Sequence, residues 1–387
     1  MGRCVRRDGW PMGPHRLRRR SWPAANPGRQ PYQGVVIVGT REPNWWYEPN
    51  PVTGWRGTLL QPLANLYGAA ARAKFERAEH HRAGLPVICV GNFTAGGTGK
   101  TPLTALICSR LKAEGQKPVV LTRGHGGRIN GPHWVDPARD NARDVGDEPL
   151  LLAAAAPVLV SRNRRDGARE IERRGEHTVI VMDDGLLNGS LEKDCSIAVL
   201  DGVRGLGNGE VIPAGPLRAP LEFQLGLVDC VVVNAGTQGI SKRAERLLDD
   251  LRRHFPGPVL VASVAPGADA GWLAGKRVLA YAGIGHPERF FDLAAKLGAE
   301  IAGRRIYSDH HMFTDGDART LLDEAKRLGA ELLTTEKDFV RLAGASGVRS
   351  ELRQASRTLP IRLTMDDRDL VRLDALIGAA LVSGRRA

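Results

Sequence analysis

The sequence predicts an α/β protein: a mostly parallel sheet with flanking helices, followed by a smaller C-terminal α/β domain. Three observations carry this. Residues 87–128 run through an apolar stretch (87–90), a glycine-rich turn, a helical pattern (about 102–114) and a second apolar stretch (119–122), the order of one β-α-β unit. Further short apolar runs at 157–160, 179–182, 197–200 and 230–233 read as additional strands of the same sheet. A Gly, Pro and Ala-rich stretch, 256–276, then separates these from a second, shorter set of elements.

The turn inside the first unit carries chemistry. It reads Thr94-Ala95-Gly96-Gly97-Thr98-Gly99-Lys100-Thr101. Glycines at 96, 97 and 99 let backbone N–H groups close around phosphate oxygens without side-chain clash. The following helix adds its N-terminal dipole, Lys100 a point charge, and Thr101 a hydroxyl suited to Mg²⁺. The strict phosphate-loop pattern G-x-x-x-x-G-K-[ST] asks for glycine where this chain has Thr94. A glycine turn that merely starts a helix is the plainer alternative, but a strand before it and a helix after it favour a nucleoside triphosphate site. The apolar run 179–182 closes on Asp183-Asp184, the form of a strand whose terminal carboxylates hold Mg²⁺.

Composition bounds the rest. A chain of 387 residues with 42% hydrophobic and 25% charged content is an ordinary globular protein with room for two cores. The net charge of +12 is concentrated: residues 1–30 hold eight arginines against one acid, Asp8. Such a tail can bind nucleic acid or anionic lipid, but its Pro and Gly content and lack of periodicity read as a disordered extension, residues 1–40, or as sequence ahead of the true start. No nucleic-acid partner is expected. The five cysteines are scattered without a C-x-x-C pair, as in a reducing, cytosolic setting. No apolar run approaches the ~20 residues of a membrane span, so any membrane contact is peripheral.

Taken in order, an aromatic stretch, Trp45-Trp46-Tyr47, precedes a helical pattern over about 62–81. There Leu59, Leu63, Leu66, Tyr67 and Ala70 share one face and Arg72, Lys74, Arg77 and Arg82 form a basic end. The face suits either packing within the domain or lying on a bilayer surface. Arg162, Arg164 and Arg165 follow the run 157–160, where open sheets place ligands; they could meet phosphate or be solvated. The loop 205–220 is long for a compact domain, which marks it as functional. In the second part, a strand (278–281) and helix (to about 297) lead to Asp309-His310-His311, then a helix from about 315 and a strand (331–334). The domains are therefore expected as 41–265, the phosphate-loop domain with its N-terminal helix, and 266–387.

Phosphoryl transfer needs a base for the attacking hydroxyl. The candidates are Asp147, in the acidic turn 144–148, and the run Asp309-His310-His311, which serves equally well as a bland loop or a divalent-metal site.

At these residues the chain resembles the tetraacyldisaccharide 4′-kinase family. The likeness covers about 41–342. It rests on PLANLYG (62–68), VGNFTAGGTGKTP (90–102), TRGHGGR (122–128), GDEP (146–149), MDDG (182–185), AGIGHPERFF (282–291), DHHMF (309–313) and TTEKDFVRL (334–342). That family's loop itself carries Thr at the position of Thr94. The resemblance implies ATP and Mg²⁺ as cofactors, with Lys100 and Thr101 at the γ-phosphate and metal and Asp183 and Asp184 as the metal-side carboxylates. It implies that Asp147 and His310, with Asp309 beside them, take the proton from the sugar hydroxyl in a cleft between the two domains. It further implies an acylated disaccharide lipid substrate, a product of lipid A biosynthesis, and peripheral placement on the cytoplasmic face of the inner membrane.

Three departures stand out. The usual Asp-Asp-Gly-Phe-Gln-His reads Asp183-Asp184-Gly185-Leu186-Leu187-Asn188, His125 replaces a tyrosine, and Ala219 replaces a glutamate. Two other functions compete: a phosphate-loop ATPase switch, which needs no base opposite the nucleotide, and a non-catalytic nucleotide-binding paralogue. Nothing in the sequence sets the oligomeric state.

Overall fold

The computed structural model describes residues 42–47 and 55–384; the expected basic extension lies outside them. The first half of the chain gives α1 (Trp55–Glu76), β1 (Val87–Gly91), α2 (Lys100–Ala113), β2 (Pro118–Thr122), β3 (His133–Trp134), α3 (Ala142–Val145), α4 (Asp147–Leu152), β4 (Val158–Val160), α5 (Arg164–Arg174), β5 (Val179–Asp183) and β6 (Cys195–Asp201). The second half gives α6 (Leu221–Leu225), β7 (Cys230–Asn234), α7 (Lys242–His254), β8 (Val259–Pro266), β9 (Arg277–Ala282), α8 (Pro287–Lys296), β10 (Glu300–Ile306), α9 (Asp315–Leu328), β11 (Glu331–Thr335), α10 (Glu336–Arg341), α11 (Val348–Ala355), β12 (Ser356–Leu359), β13 (Ile361–Thr364) and α12 (Asp367–Gly384).

Nine strands form one sheet in the order β13-β8-β7-β6-β1-β5-β2-β4-β3, parallel except at its two edges, where β13 and β3 run antiparallel. Successive residues of β1 serve opposite faces. Ile88 and Val90 pack with Leu103, Ile107 and Leu111 of α2 and with Leu373 and Ile377 of α12. Val87 and Cys89 pack with Ala168 and Ile171 of α5. A sheet covered on both sides needs apolar residues at every position, hence the unalternating runs. Four parallel strands, β10-β9-β11-β12, form a second sheet, with Phe290 and Phe291 of α8 on one face and Leu321 and Ala325 of α9 on the other.

The chain does not divide cleanly at 265/266. After the small sheet, β13 pairs with β8 and α12 covers the large sheet, where Asp374 meets Arg110 of α2 at 3.0 Å. Residues 361–384 thus belong with the larger sheet, because Leu363, Leu373, Ile377 and Leu381 complete its core.

Two local expectations also shift. The N-terminal helix starts two turns earlier than 62 and carries Pro62 inside it; a proline that reads as a first-turn residue is here an interior one. Trp46 is buried, its Nε1 donating to the Pro213 carbonyl at 3.2 Å, so it is a core residue under the loop 205–220. The apolar stripe of α1 is the reverse: Leu59, Leu63, Leu66 and Tyr67 are 66, 55, 68 and 45% exposed, and the helix packs through Ala64 and Gly68 instead.

Candidate active site

β1 lies where the large sheet's connections turn outward in both directions, with β5 and β6 beside it; ligands of such sheets bind in the crevice beyond the strand ends. The loop 94–101 occupies that crevice. Its path is held from outside: Ala95 N donates to the Pro216 carbonyl at 2.8 Å, and Asn92 Nδ2 to the Thr94 carbonyl at 2.7 Å. Asn234, at the end of β7, donates to the Thr98 carbonyl at 3.1 Å. Gly99 caps α2 at φ +103°, and a Cβ there would stand 2.7 Å from Asn234 Nδ2, so only glycine fits. Thr98 Oγ1 is buried with no partner among the described residues, a hydroxyl free for a phosphate oxygen.

Asp183 and Asp184 end β5 next to this loop. Thr104 of α2 and Thr122 of β2 offer hydroxyls to the two oxygens of Asp183 at 3.3 and 3.4 Å. Burial first, then the charge of Glu148, push the Asp183 carboxyl up to about 7 against the pull of Lys100. Two carboxylates that crowd one another in a buried place suit a cation. Burial also opposes ionisation of Asp184, but Lys100, 3.8 Å away, and Arg218, at 2.7 Å, bring it down to about 2. Among the described residues no three-residue His, Cys, Asp or Glu cluster could cage a metal. A hydroxyl at Thr101 and the Asp183–Asp184 carboxylates are hard oxygen donors that fit Mg²⁺ completed by phosphate oxygens.

The second sheet supplies the other wall. Its loop 307–314 brings His310 Nδ1 to 3.1 Å from Asp147 Oδ2, across 163 residues of sequence. Asp147 starts α4 after Gly146, whose φ of +93° lets the His125 carbonyl approach to where a Cβ would stand 2.5 Å away. Arg341 of α10 donates to the same Asp147 oxygen from Nε (2.9 Å), and Lys337 meets Glu148 at 3.1 Å. Burial works to raise the Asp147 carboxyl, but the His310 hydrogen bond and the Arg341 and Lys337 charges hold it well below the ordinary carboxylate range. An ionised Asp147 makes Nδ1 of His310 the donor and leaves Nε2 with its lone pair. That hydrogen bond raises the imidazole above the usual histidine value, against the effect of burial. Asp184 and His310 are the two non-glycine residues of the described chain with positive φ, +50° and +58°. Left-handed backbone costs such residues about 1 kcal/mol or more, and strain of this kind gathers at functional sites.

The structure therefore brings together Lys100, Thr101, Asp183 and Asp184 at one wall and Asp147, His310 and Asp309 at the other, with Asp309 Oδ1 3.9 Å from His310 Nε2. His311 points away, stacked on Tyr307 and bonded to Asp317 at 3.0 Å, so the Asp-His-His run is split rather than a joint metal site. The three arginines separate too. Arg162 reaches the Gly127 carbonyl, Arg165 pairs with Glu79, and Arg164 is buried against the carbonyls of Ser161 and Asp183. Sequence reasoning missed Asn234, Arg218, Lys337 and Arg341 as site residues. Asn234 was detectable as a polar end to the apolar run 230–233.

A model of the tetraacyldisaccharide-1-P 4′-kinase family matches residues 56–377. The chain belongs to that family. It is 44% identical over 348 residues to the tetraacyldisaccharide 4′-kinase of Bradyrhizobium sp. (strain ORS 278), covering 89% of this chain and 99% of that one. It is 46% identical over 337 residues to the enzyme of that name from Parvibaculum lavamentivorans, covering 84% and 94%. Its fold matches that of LpxK from Aquifex aeolicus, solved in complex with ATP, with a TM-score of 0.64 at 21% identity, over 84% of this chain and 99% of that one. The chain is thus a kinase, and its phosphate-loop α/β architecture is the one its sequence predicts.

Proposed function

We propose that this kinase transfers the γ-phosphate of ATP to the 4′-hydroxyl of a tetraacyldisaccharide 1-phosphate, giving the bisphosphorylated lipid of lipid A biosynthesis. The observation that carries the mechanism is the 3.1 Å pairing of His310 with Asp147 opposite the loop that carries Lys100. Nε2 of His310 accepts the hydroxyl proton as the sugar oxygen forms its bond to the γ-phosphorus and the bond from phosphorus to the β,γ-bridging oxygen breaks. Asp147 stabilises the imidazolium that results, and Lys100 with the backbone of 96–101 offsets charge on the phosphoryl oxygens. Thr101, Asp183 and Asp184 are the residues to hold Mg²⁺, which when bound neutralises phosphate charge. The larger sheet with 361–384 forms the nucleotide half and the four-stranded unit closes the cleft.

The exposed apolar stripe of α1, with Arg72, Lys74 and Arg77 exposed beyond it, supports a peripheral seat on a membrane. No described helix is long and apolar enough to cross one. An ATP donor and a membrane-held acceptor support a reaction at the cytoplasmic face of the inner membrane. The test is phosphate transfer from labelled ATP to the tetraacyldisaccharide 1-phosphate in mixed micelles, with and without Mg²⁺. H310A should lose turnover and keep ATP binding. A variant that keeps turnover refutes the base, and ATP hydrolysis without lipid product favours the switch reading.

A further inference from the structure

We infer that Arg341 is a positioning residue for the phosphoryl-transfer base: its guanidinium ties the Asp147 carboxylate, which orients His310, to the small-sheet unit that carries that histidine. This deepens the reading of His310 as the base and rests on it.

The geometry is that of a bracket between the two sheets. The Arg341 side chain is 1% exposed. Its NH1 donates to the Gly283 carbonyl at 2.6 Å and to Asp338 Oδ1 at 2.8 Å, which fixes it to the small-sheet unit. Its Nε and NH2 both reach Asp147 Oδ2, at 2.9 and 2.5 Å, on the large-sheet side. Asp338 is itself fixed by the Gly283 N–H at 3.1 Å and the Thr335 hydroxyl at 2.6 Å. Asp147 Oδ1 accepts from the Glu148 N–H at 2.9 Å, so the carboxylate cannot turn. Its other oxygen is shared between the guanidinium fork and His310 Nδ1.

Two rigidly linked N–H groups converging on one carboxylate oxygen fix the position of that oxygen more narrowly than a single flexible ammonium does, and the Glu148 N–H on the other oxygen sets the carboxylate plane. A buried ion pair of this kind is poor value as a stabiliser compared with apolar packing. Its placement on the oxygen that orients the base points instead to the chemistry. The charges facing His310 come from four places. Asp147 lies on α4 with Glu148, itself tied to Lys337; Arg341 and Asp338 lie on α10; Asp309 is on the same loop; and the His125 ring stands 5.8 Å away on the loop after β2. Asp147 and Asp309 favour the imidazolium, and the Arg341 charge works against it.

The test uses the full-length enzyme in the mixed-micelle assay across pH 5.5 to 9.5, with ATP affinity by calorimetry and a thermal melt for each variant. The acid limb of kcat/KM reports the base in the free enzyme. R341Q should lower kcat roughly tenfold or more, leave ATP affinity within about twofold, and move the acid limb up by roughly half a unit or more. R341K, which keeps charge but loses the fork, should lower kcat with the limb unmoved. D338N, which leaves the Arg341 charge less neutralised, should move the limb down. A loss of rate in R341Q with the limb unmoved makes the bracket merely structural and overturns the inference. If R341Q does not fold, R341K decides: kcat lowered with ATP affinity and the acid limb unmoved supports the inference, and an unchanged kcat overturns it. H310A with turnover intact overturns the base assignment itself, which separates the two failures.

Discussion

The double replacement L63S/L66S should detach the protein from lipid without loosening its fold. Leu63 and Leu66 are 55 and 68% exposed on α1, whose packing runs through Ala64 and Gly68. Full burial of a leucine side chain contributes about 2 kcal/mol. Scaled by the exposed fractions, the two side chains offer a bilayer about 2.5 kcal/mol, which is roughly a 60-fold change in partition at 1.4 kcal/mol per decade. Co-sedimentation with vesicles containing anionic lipid measures this directly. The apparent KM for lipid in micelles should rise while ATP affinity and the melting temperature hold. Unchanged vesicle binding would remove α1 from the membrane surface. A melting temperature lowered by more than a few degrees would show these leucines packed in the folded protein, against their exposure.

The remaining expectations concern the cleft. D147N leaves Arg341 buried without that counter-charge and should cost about 3–5 kcal/mol at pH 7. Because the folded-state value of Asp147 lies below the ordinary one, its stabilisation is complete above the unfolded carboxylate value of about 3.9 and fades as pH falls from there. Urea unfolding of wild type and D147N at pH 7 and pH 3 should therefore give a gap that narrows in acid; a constant gap contradicts the assignment. G99A sets a Cβ against Asn234 in a backbone at φ +103° and should weaken ATP binding at least about tenfold, by calorimetry, in a protein that still folds. H125A removes an edge-on ring contact with His310, and a pair of that kind is worth about 0.5–1.5 kcal/mol. Its kcat should fall about two- to tenfold with ATP affinity unchanged, and H125Y should restore it.

What the sequence disclosed follows from distance along the chain. The phosphate loop, β1, α2 and the terminal carboxylates of β5 are local patterns, because one strand–turn–helix unit or one strand end builds each of them. The pairing of His310 with Asp147 spans 163 residues, and that of Arg341 with Asp147 spans 194. No periodicity reports such a meeting, so Asp147 and the 309–311 run stand in the sequence as separate candidates, their pairing comes only from the resemblance, and Arg341 reads as one residue of a helix. The return of 361–384 to the large sheet is hidden for a related reason. The composition does change at 256–276, but the large sheet lacks its β13 edge and the helix over Ile88 and Val90 until residues 361–384 return. The apolar face of α1 was visible as a face, but whether solvent or protein met it depended on Ala64 and Gly68, small residues that hydrophobic spacing ignores.

The three departures from the family pattern read differently once their neighbours are known. Arg218, beside Ala219, pairs with Asp184 at 2.7 Å and so keeps its charge at the carboxylates. Asn188 turns its side-chain oxygen to the Ser190 N–H and hydroxyl at 3.1 and 2.9 Å, and its carbonyl receives the Lys193 ammonium. The loop beyond Asp184 is thus satisfied by bonds within itself, and Lys193, 5.0 Å from the Phe75 ring, ties it to the end of α1. Leu186 packs where a Cβ on Gly91 would stand 2.6 Å away, which fixes this loop on the end of β1. The changes at 187 and 219 are not silent around this wall: Arg164 Nε, on the side chain that bonds the Asp183 carbonyl, and Gln224 Oε1, on the side chain that bonds the Ala219 carbonyl, are buried with no partner among the described residues. The groups assigned to proton transfer lie on the opposite wall, tied to Arg341 and Lys337. A change confined to the β5 loop should alter lipid and metal affinity before it alters the ionisation of His310: restoring glutamine at Leu187 should move KM and leave the acid limb of kcat/KM where it is. A displaced limb would mean that the two walls are electrostatically coupled more strongly than their contacts indicate.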